Sequence, residues 1–387
     1  MTPRKIVVLG MMSRHPVAGI VWLTMQYVLG FERLGYETYY VEAHGATPKM
    51  FMRDDDDGSE PAAAFIDSAM RRFDLQDRWS LHARHSDGRY YGLSEHQVKE
   101  LYQSAALLIN LHGGTTPLPE HVATGRLVYL GTDPVNREIE LQHGVPETIE
   151  LFEQHRTWFT WGENYGSPDC GVPTSTRFPL VPTRQPVVID LWKPRDHRGG
   201  NAFTTIGGWQ QLWRDVQLNG ETYSWSKHLE FLKFLELPSR TRQRLELALA
   251  GCNETDAEML QQHGWRVRDA ADFSNDLDRY REYISTSRGE FTVAKDQNVR
   301  LRSGWFSDRS ATYLAAGRPV ITQDTGFGNV LPTGCGLFSF TTLDEAASAV
   351  ESINADYERH SRAARELACA YFDSDLVLTR LLKDSGL

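Results

Sequence analysis

The chain has 387 residues and a formal net charge of −10, from 41 basic and 51 acidic side chains; it is too long for one typical core and about right for two, and its acidic balance argues against a broad basic surface for duplex DNA, leaving room only for a local patch. A 41% apolar share beside 24% charge is that of a globular protein in water, and no run of 18 apolar residues exists to span a bilayer. Cys170, Cys252, Cys335 and Cys369 are scattered without a C-x-x-C pair, which predicts neither a zinc site nor a disulfide framework, and a first strand starting at Lys5 leaves no room for a signal peptide, so the expected compartment is the cytoplasm.

Ile6 to Leu9 is an apolar run ending at Gly10 and predicts a buried parallel strand, followed by a loop from Met11 to Gly19. Apolar residues then recur at helical spacing from Ile20 to Leu34, Gly35 stops the helix, and Thr38 to Val41 forms a second strand, completing a β-α-β unit. The loop lacks G-x-G-x-x-G, so the fingerprint of a nicotinamide or flavin site is absent. The acidic run Asp54 to Asp57, beside Gly58-Ser59, reads as a solvated loop rather than a metal site. Leu107 to Leu111 and Leu127 to Leu130 are further buried-strand candidates, ending at His112-Gly113-Gly114 and at Gly131-Thr132-Asp133-Pro134. Ligands of open α/β sheets sit beyond the carboxyl ends of the strands, so His15, His112 and Asp133 are expected to line one cleft.

Trp158, Trp161, Glu163 and Asn164 open a stretch that becomes proline-dense from Pro168 to Pro194; no long helix survives there, which places the domain junction near Pro182 to Pro194 and gives domains of residues 1–185 and 186–370. Ala202 to Ile206 with Gly207-Gly208 is a strand running into a glycine turn, and it opens the second domain. Tyr223 to Leu235 predicts a helix with one apolar face, on which Lys227 reads first as a solvated lysine and second as a ligand contact. Leu245 to Ala250 is a strand or a short helix, Trp265 to Val267 a strand, and Phe291 to Ala294 leads into Lys295, whose ammonium can reach a phosphate as a point charge.

The stretch from Asn298 to Asn329 reads as loop, helix, strand and loop in close succession. Ser303-Gly304 is a flexible turn, Ser307 a good N-cap, and Asp308 a carboxylate in the first helical turn, where it suits the dipole. Ala311, Leu314 and Ala315 supply an apolar face, Gly317 ends the helix, Pro319 blocks its continuation, and Val320 to Thr322 is a buried strand. A helix N-terminus behind glycine offers unpaired N–H groups and about half a positive charge. With Arg300, Arg302 and Arg309 crowding that end, a diphosphate bound at Arg302, Ser303, Gly304, Ser307, Asp308 and Arg309 is expected.

The run Ala315 to Gly328, Ala-Ala-Gly-Arg-Pro-Val-Ile-Thr-Gln-Asp-Thr-Gly-Phe-Gly, resembles the donor-site segment of GT-B glycosyltransferases of the family 4 kind. In those enzymes a helix, Gly-Lys/Arg-Pro-Val, a strand and Asp-x-Gly-Gly follow in that order. Ser303 to Ser307 is similar to the His-Cys-Gly-Trp-Asn-Ser segment of plant family 1 enzymes, Gly334 to Phe338 with Leu343 to Ile353 resembles the ending of the same fold, and Leu29 to Thr38 resembles its first helix-strand corner. The resemblance implies an α/β fold of two Rossmann-like domains facing across a cleft (GT-B type), with a final helix, residues 371–387, crossing back over the first domain. It also implies that Thr205, Gly207 and Gly208 approach the donor diphosphate, that Arg266 to Arg268 contact the donor base, and that the loop ending at Gly19 faces the acceptor. There are departures: the two glutamates of family 4 fall on Gly304 and Thr312, and the phosphate-binding histidine of the plant enzymes falls on Arg302.

The function expected from this is transfer of a sugar from a UDP-, dTDP- or GDP-linked donor to a hydroxyl-bearing acceptor. No metal or other cofactor is called for, because the helix terminus with Arg302 and Arg309 can stabilise the leaving diphosphate. His15 or Asp133 would take the acceptor proton, alone or with Asp133 orienting His15; Gly19, His112, Asp133, Glu163 and Asn164 would face the acceptor. A sugar-nucleotide epimerase of the same fold and a catalytically silent nucleotide- or sugar-binding protein are the rival readings. Nothing in the sequence fixes an oligomeric state.

Overall fold

The computed structural model describes residues 3–53, 56–194, 200–211 and 214–387; Asp54 and Asp55 of the acidic run lie outside the described residues. The first half builds a sheet from β1 (Lys5–Leu9), β2 (Glu37–Glu42), β3 (Trp79–His82), β4 (Tyr90–Gly92), β5 (Leu107–Leu111), β6 (Leu127–Gly131), β7 (Thr157–Thr160) and β8 (Leu180–Pro182). Their order is β4-β3-β2-β1-β5-β6-β7-β8, and every neighbour is parallel except β4 against β3. Ile6 to Leu9 have no exposed surface. A strand covered on both faces buries successive residues, which is why β1 reads as an unbroken apolar run.

The second half contributes β9 (Ala202–Gly208), β10 (Val216–Leu218), β11 (Glu221–Tyr223), β12 (Arg244–Ala250), β13 (Arg266–Asp269), β14 (Gly289–Thr292), β15 (Val320–Gln323) and β16 (Leu337–Phe340). Six of these form a parallel sheet in the order β13-β12-β9-β14-β15-β16. This is the doubly wound arrangement, in which the order reverses beside the first strand. The choice between strand and helix at Leu245 to Ala250 resolves as strand, because Leu245, Leu247 and Leu249 pack in one apolar layer and Ala248 in the opposite one.

The long helix expected from Tyr223 to Leu235 is shortened to one turn, and its first residue belongs to a hairpin that precedes it. Asn219 and Gly220 both adopt positive φ, 53° and 81°, and turn β10 antiparallel onto β11; a helix follows only over His228–Leu232. Val216, Leu218 and Tyr223 of this hairpin pack with Val135, Ile139 and Val172 of the first half, so the hairpin straps the two halves together.

Two other seams join the halves. Trp22, on the helix Ala18–Arg33, lies 5.1 Å from Trp192 and donates its indole N–H to Leu277 O at 3.0 Å. At the chain's end the backbone of Phe372 and Ser374 bonds to Val187, and the helix Ser374–Asp384 then buries Leu378, Leu381 and Leu382 in the core of the first half. Gly30 permits this: a Cβ there would sit 2.4 Å from the Leu378 side chain. Among the described residues no helix is long and apolar enough to cross a membrane.

Candidate functional site

In each sheet the chain order reverses beside the first strand, and the loops at that point are the natural ligand site. The loops after β1, β5 and β6 line a cleft of about 670 Å³ whose other wall carries Arg214, Asp215, Trp225 and Trp305. One ion pair bridges it: Lys295 Nζ lies 2.6 Å from Asp133 Oδ2.

On the first domain's side, His15 lines the cleft; burial, then Arg14 and Arg214, push its pKa below the usual histidine value, and Glu42 opposes them. His112 occupies left-handed backbone (φ 65°) at the end of β5. Its Nδ1 lies 2.7 Å from Thr132 Oγ1, while its Nε2 is buried without a hydrogen-bond partner among the described residues. Burial, aided by His15, lowers its pKa to about 4, so His112 is a neutral hydrogen-bonding group at physiological pH. Asp133 has one oxygen on Lys295 and the other, Oδ1, buried without a partner; no hydrogen bond joins it to His15.

On the second domain's side the cations outnumber their partners. Lys295 is 8% exposed, lies 3.2 Å from the centroid of the Trp225 ring, and is held below the usual ammonium range by burial against the pull of Asp133. Arg309 is paired with Glu290 at 2.6 Å. Lys227, 5.2 Å from the Trp305 ring centroid, and Arg214, 5.0 Å from that of Trp225, have no carboxylate within ion-pair reach among the described residues. Burial, with Arg309 and Lys295 adding to it, brings the Lys227 pKa down to about 7. An ammonium so destabilised gains from any anion that enters beside it. Lys227 is thus not the solvated surface lysine expected but a buried one behind the cleft wall, against Trp305.

The expected diphosphate cradle at Arg302 to Arg309 is occupied by the protein itself. Arg302 is spent on Asp169 at 2.9 Å and Asp324 at 2.7 Å, Arg300 on Glu221 and Asp296, and Arg309 on Glu290. Ser303 is buried, with its carbonyl accepting from Asn164 N–H at 3.2 Å and its hydroxyl on Asn298. Gly304 (φ 78°) packs so closely that a Cβ would lie 2.2 Å from Asn164 N, which only glycine allows. Asn164 in turn donates to Arg302 O at 2.8 Å. This loop is therefore a seam between the halves rather than an open anion site. Replacing Arg302 by alanine is expected to leave nucleotide affinity unchanged in calorimetry and to lower stability by no more than about 1 kcal/mol, the range for partly exposed pairs.

The remaining candidates divide between cleft and scaffold. Asp308 reaches the cleft from the start of the helix Asp308–Ala315, where burial raises its pKa, and Ser307 is the N-cap residue but makes no side-chain cap bond. Gly207, at the end of β9, has open space where a side chain would stand, and Gly208 follows it beside Gln211. Thr205 is buried, with its hydroxyl bonding Thr292 at 3.2 Å. Gly19 sits in the first turn of its helix, 3.3 Å from the Tyr280 hydroxyl as measured from an ideal Cβ. Glu163 is held by Arg184 at 2.5 Å, away from the cleft lining. Arg266 stands at the starting end of the edge strand β13, pairs with Glu246 at 3.4 Å, and so lies at the opposite end of the sheet from the loops that bind ligands.

The Arg309–Glu290 pair carries a stability prediction. Glu290 has no exposed surface, so Arg309→Met strands a buried carboxylate; thermal or denaturant unfolding is expected to show a loss of about 3–5 kcal/mol.

Two facing doubly wound sheets, with the last helix returned to the first domain, make the GT-B fold of glycosyltransferases. Solved structures of that fold match over essentially the whole chain. HepE from Anabaena, in complex with UDP and glucose, is 13% identical at a TM-score of 0.58, covering 99% of this chain and 100% of its own. An α-glucosyltransferase in complex with UDP and a 13-mer DNA is 10% identical at 0.57, covering 100% of both. AviGT4, a glycosyltransferase of avilamycin A biosynthesis, is 12% identical at 0.54, covering 99% and 97%. No family model and no curated protein matches the sequence.

Proposed function

We propose that this chain is a glycosyltransferase that moves a sugar from a nucleoside diphosphate donor to a hydroxyl-bearing acceptor in the cleft between its halves. The observation that carries the reading is a pair of cations without carboxylate partners among the described residues: Arg214 lines the cleft across from His15 and His112, on a wall it shares with Asp215 and Asp308, and Lys227 lies against the Trp305 ring of that wall. A diphosphate has the charge to match them. As the bond from the sugar to the diphosphate breaks, negative charge grows on the leaving group, and fixed cations in a partly dehydrated cleft stabilise that charge without reorganising. His15, neutral at physiological pH, is suited to accept the proton of the attacking hydroxyl, and the free Nε2 of His112 to bond a sugar hydroxyl.

Relatives in the fold support the donor class: HepE is described with UDP-glucose and the α-glucosyltransferase with UDP, so a UDP-linked hexose is the first donor to try, ahead of dTDP- and GDP-sugars. An epimerase would need cleft carboxylates free to move a proton at carbon. Of those lining the cleft, Asp133 is tied to Lys295 and Glu140 to Arg137 at 2.7 Å, whereas Asp215, which accepts from Trp225 N–H at 2.9 Å, and Asp308 make no ion pair among the described residues and are where an epimerase would have to place its proton transfer.

The test is calorimetry with UDP, dTDP and GDP, followed by turnover of the matching sugar nucleotide. Binding is expected to persist in EDTA, and turnover with it, because lysine and arginine already supply the positive charge. Turnover lost to EDTA and restored by a divalent ion would refute the metal-free part; absence of binding by all three nucleotides would refute the whole.

A further inference from the structure

The turn that carries His15 is held by a carboxylate that lies behind it. Glu42, the last residue of β2, has no exposed surface, and four donors converge on it. Ser13 N–H and the Tyr40 hydroxyl reach Oε1 at 2.7 and 2.5 Å; the Ser13 hydroxyl and the His44 ring, at 3.0 Å, reach Oε2. The proton positions follow from the neighbours. Ala46 N–H donates to His44 Nδ1 at 2.9 Å, so the ring's proton is on Nε2 and points at Glu42. Met12 N–H donates to the Tyr40 oxygen at 2.8 Å, leaving the Tyr40 proton for Glu42. No arginine or lysine among the described residues pairs with Glu42, so neutral donors satisfy the carboxylate and its field is not cancelled at close range.

Two of the four donors belong to Ser13, the residue immediately before Arg14 and His15. His15 is faced by Arg14 within its own loop, by Arg214 from the second domain, by His112 from the end of β5, and by His44 and Glu42 from the end of β2. We propose that Glu42 is a positioning residue for sugar transfer, fixing Ser13 and through it the Arg14–His15 turn that faces the acceptor. Its charge has a second effect. Burial, Arg14 and Arg214 weaken His15 as a base, and Glu42 works against them. The inference rests on reading His15 as the base.

The experiment compares wild type with Glu42→Gln by NMR titration of the His15 ring, assigned by its loss in His15→Ala, alongside kcat, KM and UDP affinity. Glutamine keeps the size, removes the charge, and turns an amide N–H₂ toward groups that themselves donate. The His15 midpoint is expected to fall, the acid limb of the kcat/KM profile to move down in pH with it, and kcat to drop on the order of tenfold. UDP affinity, set by the other domain, should change by less than about twofold. A scaffold role alone would instead lower melting temperature and leave the acid limb where it was. An unmoved His15 midpoint in folded Glu42→Gln overturns the proposal. A midpoint that moves while kcat stays fixed also overturns it, and separately removes His15 as the base. Ser13→Ala, which deletes one link and keeps the charge, covers a failure of Glu42→Gln to fold: kcat should fall with UDP affinity unchanged, and a wild-type kcat counts against the proposal.

Discussion

Lys227→Ala is expected to weaken UDP binding by about 10- to 100-fold, the worth of one charge-assisted contact of about 1.5–3 kcal/mol. The pH dependence separates this residue from any other cation in the cleft. In the free protein the Lys227 pKa stands near 7, and a diphosphate beside it favours the charged form and raises that value. Below pH 7 the ammonium is already present, and Lys227 adds no pH dependence of its own there. As pH rises through about 7 each binding event must take up a proton, so affinity falls with pH until the bound-state value is passed. Calorimetry in buffers of differing ionisation enthalpy should therefore detect proton uptake near pH 8, and Lys227→Ala should abolish it. Tight, pH-independent binding by the variant would show that the diphosphate lies elsewhere. Arg302→Ala is the matched control, since its guanidinium already serves Asp169 and Asp324.

The gap between those two residues says what the sequence carried. Strands β1, β5 and β6 were legible because a strand covered on both faces is largely apolar, and the loops after them followed, which brought His15, His112 and Asp133 to one cleft. The helix Asp308–Ala315 was legible from its caps. What its start would hold was not, because local pattern displays the arginines and hides their partners. Asp169 and Glu221 lie more than 75 positions from the arginines they neutralise, and Glu290 is a strand residue with nothing in its neighbourhood to announce a buried ion pair. Lys227 failed in the opposite direction. Its apolar neighbours suggested a helix face with a solvated lysine, and only the folded chain buries it, with Arg309 and Lys295 nearby adding to the depression. The hairpin β10–β11 did have a signal, Asn219-Gly220 between two short alternating runs, the usual mark of a tight two-residue turn. Reading that turn would have claimed Tyr223 for a strand and moved the start of the helix beyond Trp225, which lines the cleft.

His15→Ala is expected to lower kcat by about 10² to 10⁴ while UDP affinity holds, because the base acts in the transition state and the nucleotide sits on the other domain. The shape of the wild-type profile is part of the prediction. A base must be unprotonated to work, and burial with two nearby arginines lowers the His15 pKa in the free protein, so the acid limb of kcat/KM should fall below pH 6.5 rather than at or above it. The variant should lose that limb along with the rate. Asp133→Asn distinguishes a lone base from a paired one. Asp133 is committed to Lys295 and makes no hydrogen bond to His15, so its replacement should leave the acid limb in place and act instead on the bridge between the halves. If Asp133→Asn shifted the limb as far as Glu42→Gln does, the carboxylate would have to leave Lys295 and turn to His15 during turnover. If His15→Ala kept wild-type kcat, the proton would be taken by another group, and the β1 loop would be left with acceptor binding alone.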